Sequence, residues 1–248
     1  MQQTLVYPDI ETLSQKAADY TVRIAREAIA TRGLFSFALS GGSTPGKMYG
    51  LLASEPYRSQ IDWTVVHFFW SDERCVDPED AQSNYHLAQE VLLSKLNLRP
   101  EQIHRMPAEN PDRDQASTEY AEEIRRVLSP NPTSTVPSFD LLQLGMGPEG
   151  HTASLFPHQA SLVEQDRLVM PVSVPKPPPD RLTFTPPLLQ AARSILFLAT
   201  GADKADALQA VLEGPEQPEE YPAQLIARQA KGDVVWMLDP QIAAKIHI

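Results

Sequence analysis

Short apolar runs alternate with helical repeats along this chain, and that alternation limits the folds open to it more than any figure for its composition. The runs at 35–39, 65–70, 140–144, 194–200 and 234–238 have the length of buried strands and are too short for buried helices. Between them, Leu13, Ala17, Tyr20, Ile24 and Ala28 recur at three- and four-residue spacing, the pattern of an amphipathic helix that ends near Gly33. Further helices are predicted from Thr44-Pro45 to about Ala53, over 84–93, from about Gln115 to Leu128, over 202–212 and over 222–230, with extended chain over 168–174 and 182–185. Strands alternating with helices predict an α/β fold: a mostly parallel central sheet with helices on both faces. No internal repeat, low-complexity segment or domain boundary interrupts the pattern, so residues 1–248 read as one domain.

At 42% apolar and 21% charged, the composition is that of an ordinary globular protein. The net charge of −11 argues against nucleic acid or an anionic membrane as a partner. It leaves a small anion open, because a few local cations and backbone N–H groups override a global field. Cys75 is the lone cysteine, which excludes an intrachain disulfide and a cysteine-based metal site. Met1 to Asp9 has neither the basic start nor the apolar core of a secretory leader, and no apolar run approaches the ~20 residues of a membrane span, so the cytoplasm is the expected compartment. The 23 prolines gather at 130–137, 175–187 and 215–222, between periodic segments, and read as stiffened loops.

The turns after three of the strands carry residues suited to chemistry. After 140–144, Gly145 and Gly147 let the backbone turn sharply and approach a ligand, and His151 follows a third glycine beside Glu149. Ligands bind at the carboxyl ends of strands in open α/β sheets, and imidazole titrates near neutrality, so His151 is a candidate base. After 35–39, Ser40-Gly41-Gly42-Ser43-Thr44-Pro45 leads into a helix with Thr44 as N-cap and Pro45 in the first position. Such a turn either gathers N–H groups and the positive helix end around a phosphate or is only a tight connection. It matches neither the dinucleotide glycine fingerprint nor the P-loop. After 65–70, two acids and an arginine, Asp72, Glu73 and Arg74, would hold a substrate hydroxyl and an oxyanion, or else form a surface ion-pair network.

Arg181, and Lys204 at the start of a helix, are either anion ligands or solvated charges; a cation in a first helical turn opposes the dipole unless an anion offsets it. Cys75 has no histidine beside it in sequence and reads as an unactivated thiol. His67 lies inside an apolar strand and reads as core. No histidine spacing of the H-E-x-x-H kind supports a metal.

In chain order, Ala38-Leu-Ser-Gly-Gly-Ser-Thr-Pro45, Ser71-Asp-Glu-Arg-Cys-Val76 with Ser83-Asn-Tyr85, Gly145-Met-Gly-Pro-Glu-Gly-His-Thr-Ala-Ser-Leu-Phe-Pro157, Arg181-Leu-Thr-Phe-Thr185 and Lys204 resemble the glucosamine-6-phosphate isomerase/6-phosphogluconolactonase family, in its lactonase branch, over almost the whole chain. The resemblance implies a Rossmann-like fold and hydrolysis of 6-phospho-D-glucono-1,5-lactone to 6-phospho-D-gluconate in the oxidative pentose phosphate pathway. It implies no cofactor and no metal, a small phosphorylated sugar lactone as partner, and a monomer or weak homo-oligomer. A lactone is an activated ester that needs a base for water, charge for the tetrahedral oxyanion and an anchor for its phosphate.

On this resemblance His151 is the base, and its imidazolium protonates the leaving ring oxygen. Arg74 faces the oxyanion or the hydroxyls. Gly41, Gly42, Ser43, Thr44, Arg181 and Lys204 hold the phosphate, Gly147 joins the substrate-binding set, and Asp72 and Glu149 orient their neighbours. Glu149 departs from the family, which often has aspartate there; the extra methylene, ~1.5 Å, disfavours a direct catalytic role and suits one behind another side chain. The deaminase branch shares the phosphate turn and the Gly-His turn but tends to Ile-Ala-Phe-Asn-Glu-Pro where this chain has Thr152-Ala-Ser-Leu-Phe-Pro157. Outside catalysis, the rival reading is a sugar-phosphate sensor, which the intact His151 and Arg74 oppose.

Overall fold

The computed structural model describes residues 1–128 and 136–247. Of the proline cluster at 130–137, the part at 130–135 lies outside the described residues. The strands are β1 Gln2–Val6, β2 Phe35–Leu39, β3 Val66–Trp70, β4 Asp72–Arg74, β5 Leu141–Leu144, β6 Val169–Ser173, β7 Asp180–Phe184, β8 Ser194–Ala199 and β9 Asp233–Leu238. The α-helices are α1 Ile10–Arg32, α2 Ser43–Leu52, α3 Asn84–Val91, α4 Arg113–Leu128, α5 Pro186–Gln190, α6 Ala205–Glu213 and α7 Pro222–Gln229.

Six strands form one parallel sheet in the order β1-β9-β8-β5-β2-β3. The central strands β2, β5 and β8 are buried along their whole length, as helices on both faces require. Successive residues turn to opposite faces: Ile195 and Phe197 pack in one core with Tyr120, Leu208 and Ile226, while Leu196 and Leu198 pack in the other with Leu13, Met48 and Leu52. Helix α1 begins where the Asp9 carboxylate accepts the Thr12 N–H at 2.7 Å and ends at Gly33, at φ 77°.

The strand order reverses direction between β2 and β5. From β2 the chain steps outward to β3, whereas from β5 it steps the other way to β8 and β9. Such a switch point opens a crevice at the carboxyl ends of the two strands. Buried polar groups lock the pair. At its base the Asp140 carboxylate accepts the Ser36 N–H and hydroxyl, each at 2.9 Å, and Arg32 Nε at 2.7 Å. At its top Gln143 Oε1 accepts the hydroxyls of Ser40 and Tyr49, the latter at 2.8 Å.

The segments expected to be extended at 168–174 and 182–185 do not join this sheet. As β6 and β7 they pair antiparallel with each other, and β7 pairs antiparallel with β4, in a second, three-stranded sheet, β4-β7-β6. The connection 174–179 is too short for the crossover that parallel pairing needs. Helix boundaries also move: 84–93 ends as helix at Val91, and 202–212 begins as a 3-10 turn, Ala202–Lys204, before α6. Within the proline cluster 175–187, 175–179 is loop, β7 takes 180–184, and Thr185 is the N-cap from which α5 starts. Among the described residues no helix is long and apolar enough to cross a membrane.

Candidate active site

The turns after β2 and β5 meet in a cavity of about 310 Å³, within the range of pockets that enclose small ligands. Ten of the residues singled out from sequence line it: Gly41, Gly42, Ser43 and Thr44 after β2, Asp72 and Arg74 on β4, Gly147 and His151 after β5, Arg181 on β7 and Lys204 after β8. Glu149 does not line it; its carboxylate lies behind the imidazole.

At the first turn the helix start differs from the sequence reading. The N-cap of α2 is Gly42, not Thr44, and no side chain caps it. Gly42 has φ 116°, a backbone that side chains resist, and Thr44 Oγ1 pairs with Thr200 Oγ1 at 3.1 Å instead. The N–H groups of Ser43 and Thr44 therefore sit in a first helical turn with neither an intrahelical partner nor a capping side chain.

At the second turn, Gly147 N donates to His151 O at 3.0 Å and Gly150 N to Gly147 O at 2.9 Å. This tight loop lays the His151 ring on Phe156, with centroids 4.1 Å apart and planes 10° from parallel. At Gly147 the absence of a side chain makes room for the imidazole: a Cβ there would stand 2.1 Å from His151 Cε1 and Nδ1. Burial pulls the His151 pKa below the ordinary imidazole value, and the nearby Glu149 only partly opposes it. Glu149 Oε2 is 3.2 Å from Nδ1, yet that buried nitrogen makes no hydrogen bond, so the approach is close but poorly aligned. With Nδ1 shut in by Gly147 and Glu149, Nε2 is the nitrogen left for the cavity.

The small sheet brings charge. β4 and β7 pair Arg74 directly opposite Arg181, an arrangement that repels unless anions stand nearby. Asp72 is one such anion. It is buried and accepts the Ser154 hydroxyl at 2.7 Å, while Ser154 Oγ lies 3.4 Å from Arg181 Nη1. Ser154 reaches this place through Ala153, a non-glycine residue at φ 48°, a strained conformation of the sort that clusters at functional sites. Arg181 Nε donates to Pro178 O at 3.1 Å, and burial, aided by Arg74 and opposed by Asp72, holds its pKa below the usual arginine value. Arg74 Nη1 donates to Gln82 O at 2.6 Å, and its buried Nε has no partner. Lys204 caps α6 and makes no ion pair among the described residues.

Other sequence candidates lie outside the cavity. The buried Glu73 carboxylate accepts the N–H groups of Arg74, Asn84 and Tyr85, each at 2.8 Å, and the Ser83 hydroxyl at 3.0 Å. It fixes the start of α3, where an anion suits the helix dipole. Burial pushes the Cys75 thiol up to about 11, so it is not a thiolate at neutral pH. His67 is satisfied at the sheet edge: its Nδ1 is 2.9 Å from His104 Nε2, and His104 Nδ1 is 2.6 Å from Glu123.

Sequence reasoning assigned no role to Asn84, Ser154, Phe156 or Lys176. Asn84 Nδ2 donates to Asp72 O at 2.8 Å, and its Oδ1 occupies the place a Cβ on Gly41 would take. Asn84, Ser154 and Phe156 all lie within the recognisable motifs. Lys176 sits in a proline-rich loop that carries no signal, and its Nζ is 2.7 Å from Glu149 Oε1 and 3.0 Å from Oε2. Burial alone would raise the Glu149 carboxyl; the bond from Lys176 and the nearby His151 outweigh it and hold its pKa below the ordinary value.

The family profile for glucosamine-6-phosphate isomerases/6-phosphogluconolactonase matches residues 8–236. The chain is 40% identical over 227 residues to a 6-phosphogluconolactonase of Synechocystis, covering 92% of this chain and 90% of that one. It is 37% identical over 250 residues to the probable 6-phosphogluconolactonase 1 of Arabidopsis thaliana, covering 97% and 92%. Among solved structures, 6-phosphogluconolactonase from Trypanosoma brucei superposes with a TM-score of 0.88 at 28% identity, over 100% of this chain and 99% of that one.

Proposed function

The chain belongs to the glucosamine-6-phosphate isomerase/6-phosphogluconolactonase family, and on that premise we propose that it hydrolyses 6-phospho-D-glucono-1,5-lactone to 6-phospho-D-gluconate, the lactonase step of the oxidative pentose phosphate pathway. The observation that carries this reading is convergence: one imidazole, a helix start with free N–H groups and three cations share one cavity of about 310 Å³ in a chain whose net charge is −11.

In the proposed mechanism, His151 Nε2 takes a proton from water as the water oxygen attacks the lactone carbonyl carbon. Arg74 faces the oxyanion that forms. When the intermediate collapses, the bond from that carbon to the ring oxygen breaks, and the imidazolium returns its proton to the ring oxygen as the C5 hydroxyl. The new carboxyl group then ionises. The Ser43 and Thr44 N–H groups, with Lys204 and Arg181, hold the phosphate; a doubly charged anion matches two cations and charge-assisted donors. Asp72 aims Arg181 through Ser154, and Glu149 acts from behind His151 without touching substrate. Because the substrate is an activated ester, these groups suffice without a cofactor or metal.

Turnover of the lactone by the purified protein, measured above its spontaneous hydrolysis, tests the proposal. Ammonia release from glucosamine 6-phosphate without lactonase activity would move the chain to the deaminase branch, and stoichiometric binding of 6-phosphogluconate without turnover would make it a sensor. The proposal takes the chain as one domain, acting in the cytoplasm as a monomer or weak homo-oligomer; cell fractionation and sedimentation measure both.

A further inference from the structure

The Glu149 carboxylate has two claimants. On one side is His151 Nδ1, 3.2 Å away and without a hydrogen bond. On the other is Lys176, whose Nζ contacts both carboxylate oxygens, at 2.7 and 3.0 Å. Lys176 does not line the cavity. It belongs to the short connection between β6 and β7, which is tied down independently: Val174 N donates to Pro179 O at 2.8 Å and Arg181 Nε to Pro178 O at 3.1 Å. Its ammonium also lies 5.8 Å from the centroid of the Phe156 ring on which His151 stacks. A lysine, a carboxylate, an imidazole and a phenyl ring thus form one cluster behind the face of His151 that meets the cavity.

We infer that Lys176 is a positioning residue of this site: by holding the Glu149 carboxylate it limits the pull of that carboxylate on His151 and keeps the imidazole neutral. A carboxylate alone beside an imidazole favours imidazolium, which is useless as a base. An ammonium on both carboxylate oxygens draws off that influence while still fixing the acid in place. The Glu149 side chain is long enough to bring its one carboxylate to both Lys176 and His151. The charged groups facing His151 are Glu149 on its own loop, Lys176 on the β6–β7 connection and Asp72 on β4; Arg74, Arg181 and Lys204 stand on the other walls. Burial and Lys176 both act to lower the His151 pKa, against Glu149 and Asp72.

The kinetic half of this inference rests on His151 being the base; the electrostatic half does not. The experiment therefore reads both, using the full chain with labelled histidine and assigning the His151 resonance as the one absent in His151→Ala. In Lys176→Met the His151 titration midpoint should rise by about half a unit to one unit, solvent at the half-exposed lysine keeping it from being larger. Lys176→Arg should restore it. In a Glu149→Gln background the same Lys176→Met change should shift the midpoint by less than half as much. The acid limb of kcat/KM should move up with the midpoint, giving ~3- to 10-fold lower kcat/KM below it, with KM unchanged. An unmoved midpoint, or a shift undiminished in Glu149→Gln, overturns the inference. A midpoint that moves while the acid limb stays upholds the lysine–glutamate–histidine coupling and instead removes His151 as the base.

Discussion

The two sheets furnish the cavity by different means. The parallel sheet contributes from beyond its strand ends: Gly41 to Thr44 follow β2, Gly147 to His151 follow β5, and Lys204 follows β8. Each group is placed by a turn a few residues long, whose shape is set by glycine and by the helix that starts there. The antiparallel sheet contributes along its strands. Asp72, Arg74 and Arg181 face the cavity because β4 and β7 pair in one register, and a slip of one residue would turn Arg181 to the other side. The first sheet thus offers an imidazole and backbone donors on tight turns, and the second offers pooled charge. Catalysis should be most sensitive in the first region, and binding should depend on cations from both.

His151→Ala should lower kcat by about 10²- to 10⁴-fold, the span of a positioned general base and ~3–5 kcal/mol of barrier. A rate near wild type would leave the parallel sheet with binding alone. Gly147→Ala comes next. The new methyl would stand 2.1 Å from the His151 ring, and a base displaced by ~1 Å loses up to about 10²-fold; kcat should fall while KM changes little, and a normal kcat would mean the ring accommodates the methyl without cost.

Arg181→Ala from the antiparallel sheet and Lys204→Ala from the parallel one should each raise KM about 10-fold, as loss of a charge-assisted bond predicts. Comparable rises mean that the sheets share the phosphate; a rise in one variant alone assigns it to that sheet. The smallest effect is expected for Cys75→Ala. Its thiol is pushed up to about 11 and lies outside the cavity lining, so kcat/KM should stay within about twofold of wild type. A large loss would restore a thiol mechanism.

Much of this arrangement was legible in the chain before any folding. β2 matches its apolar run residue for residue, and β3, β5, β8 and β9 differ by only a residue or so at their ends. The Gly-His loop and the Gly-Gly loop stood out because glycine, proline and apolar periodicity act locally. β1 was missed because Gln2–Val6 is largely exposed and lacks an apolar run; it is a strand because β9 gives its backbone a partner. β4 was missed although it is largely buried: Asp-Glu-Arg has little strand character, and pairing with β7 makes it one.

The amino-acid order alone therefore determined the strands buried on both faces, the turns that follow them, and the candidates proposed here for the base and the N–H cradle, since each depends on neighbours within a few positions. Tertiary structure decided that β2 and β5 lie side by side at the switch point, that Arg74 stands across from Arg181, that Ser154 links Asp72 to Arg181, and that Lys176 reaches Glu149. Those contacts join residues tens of positions apart. Their geometry comes from sheet order, register and burial, which no local pattern encodes.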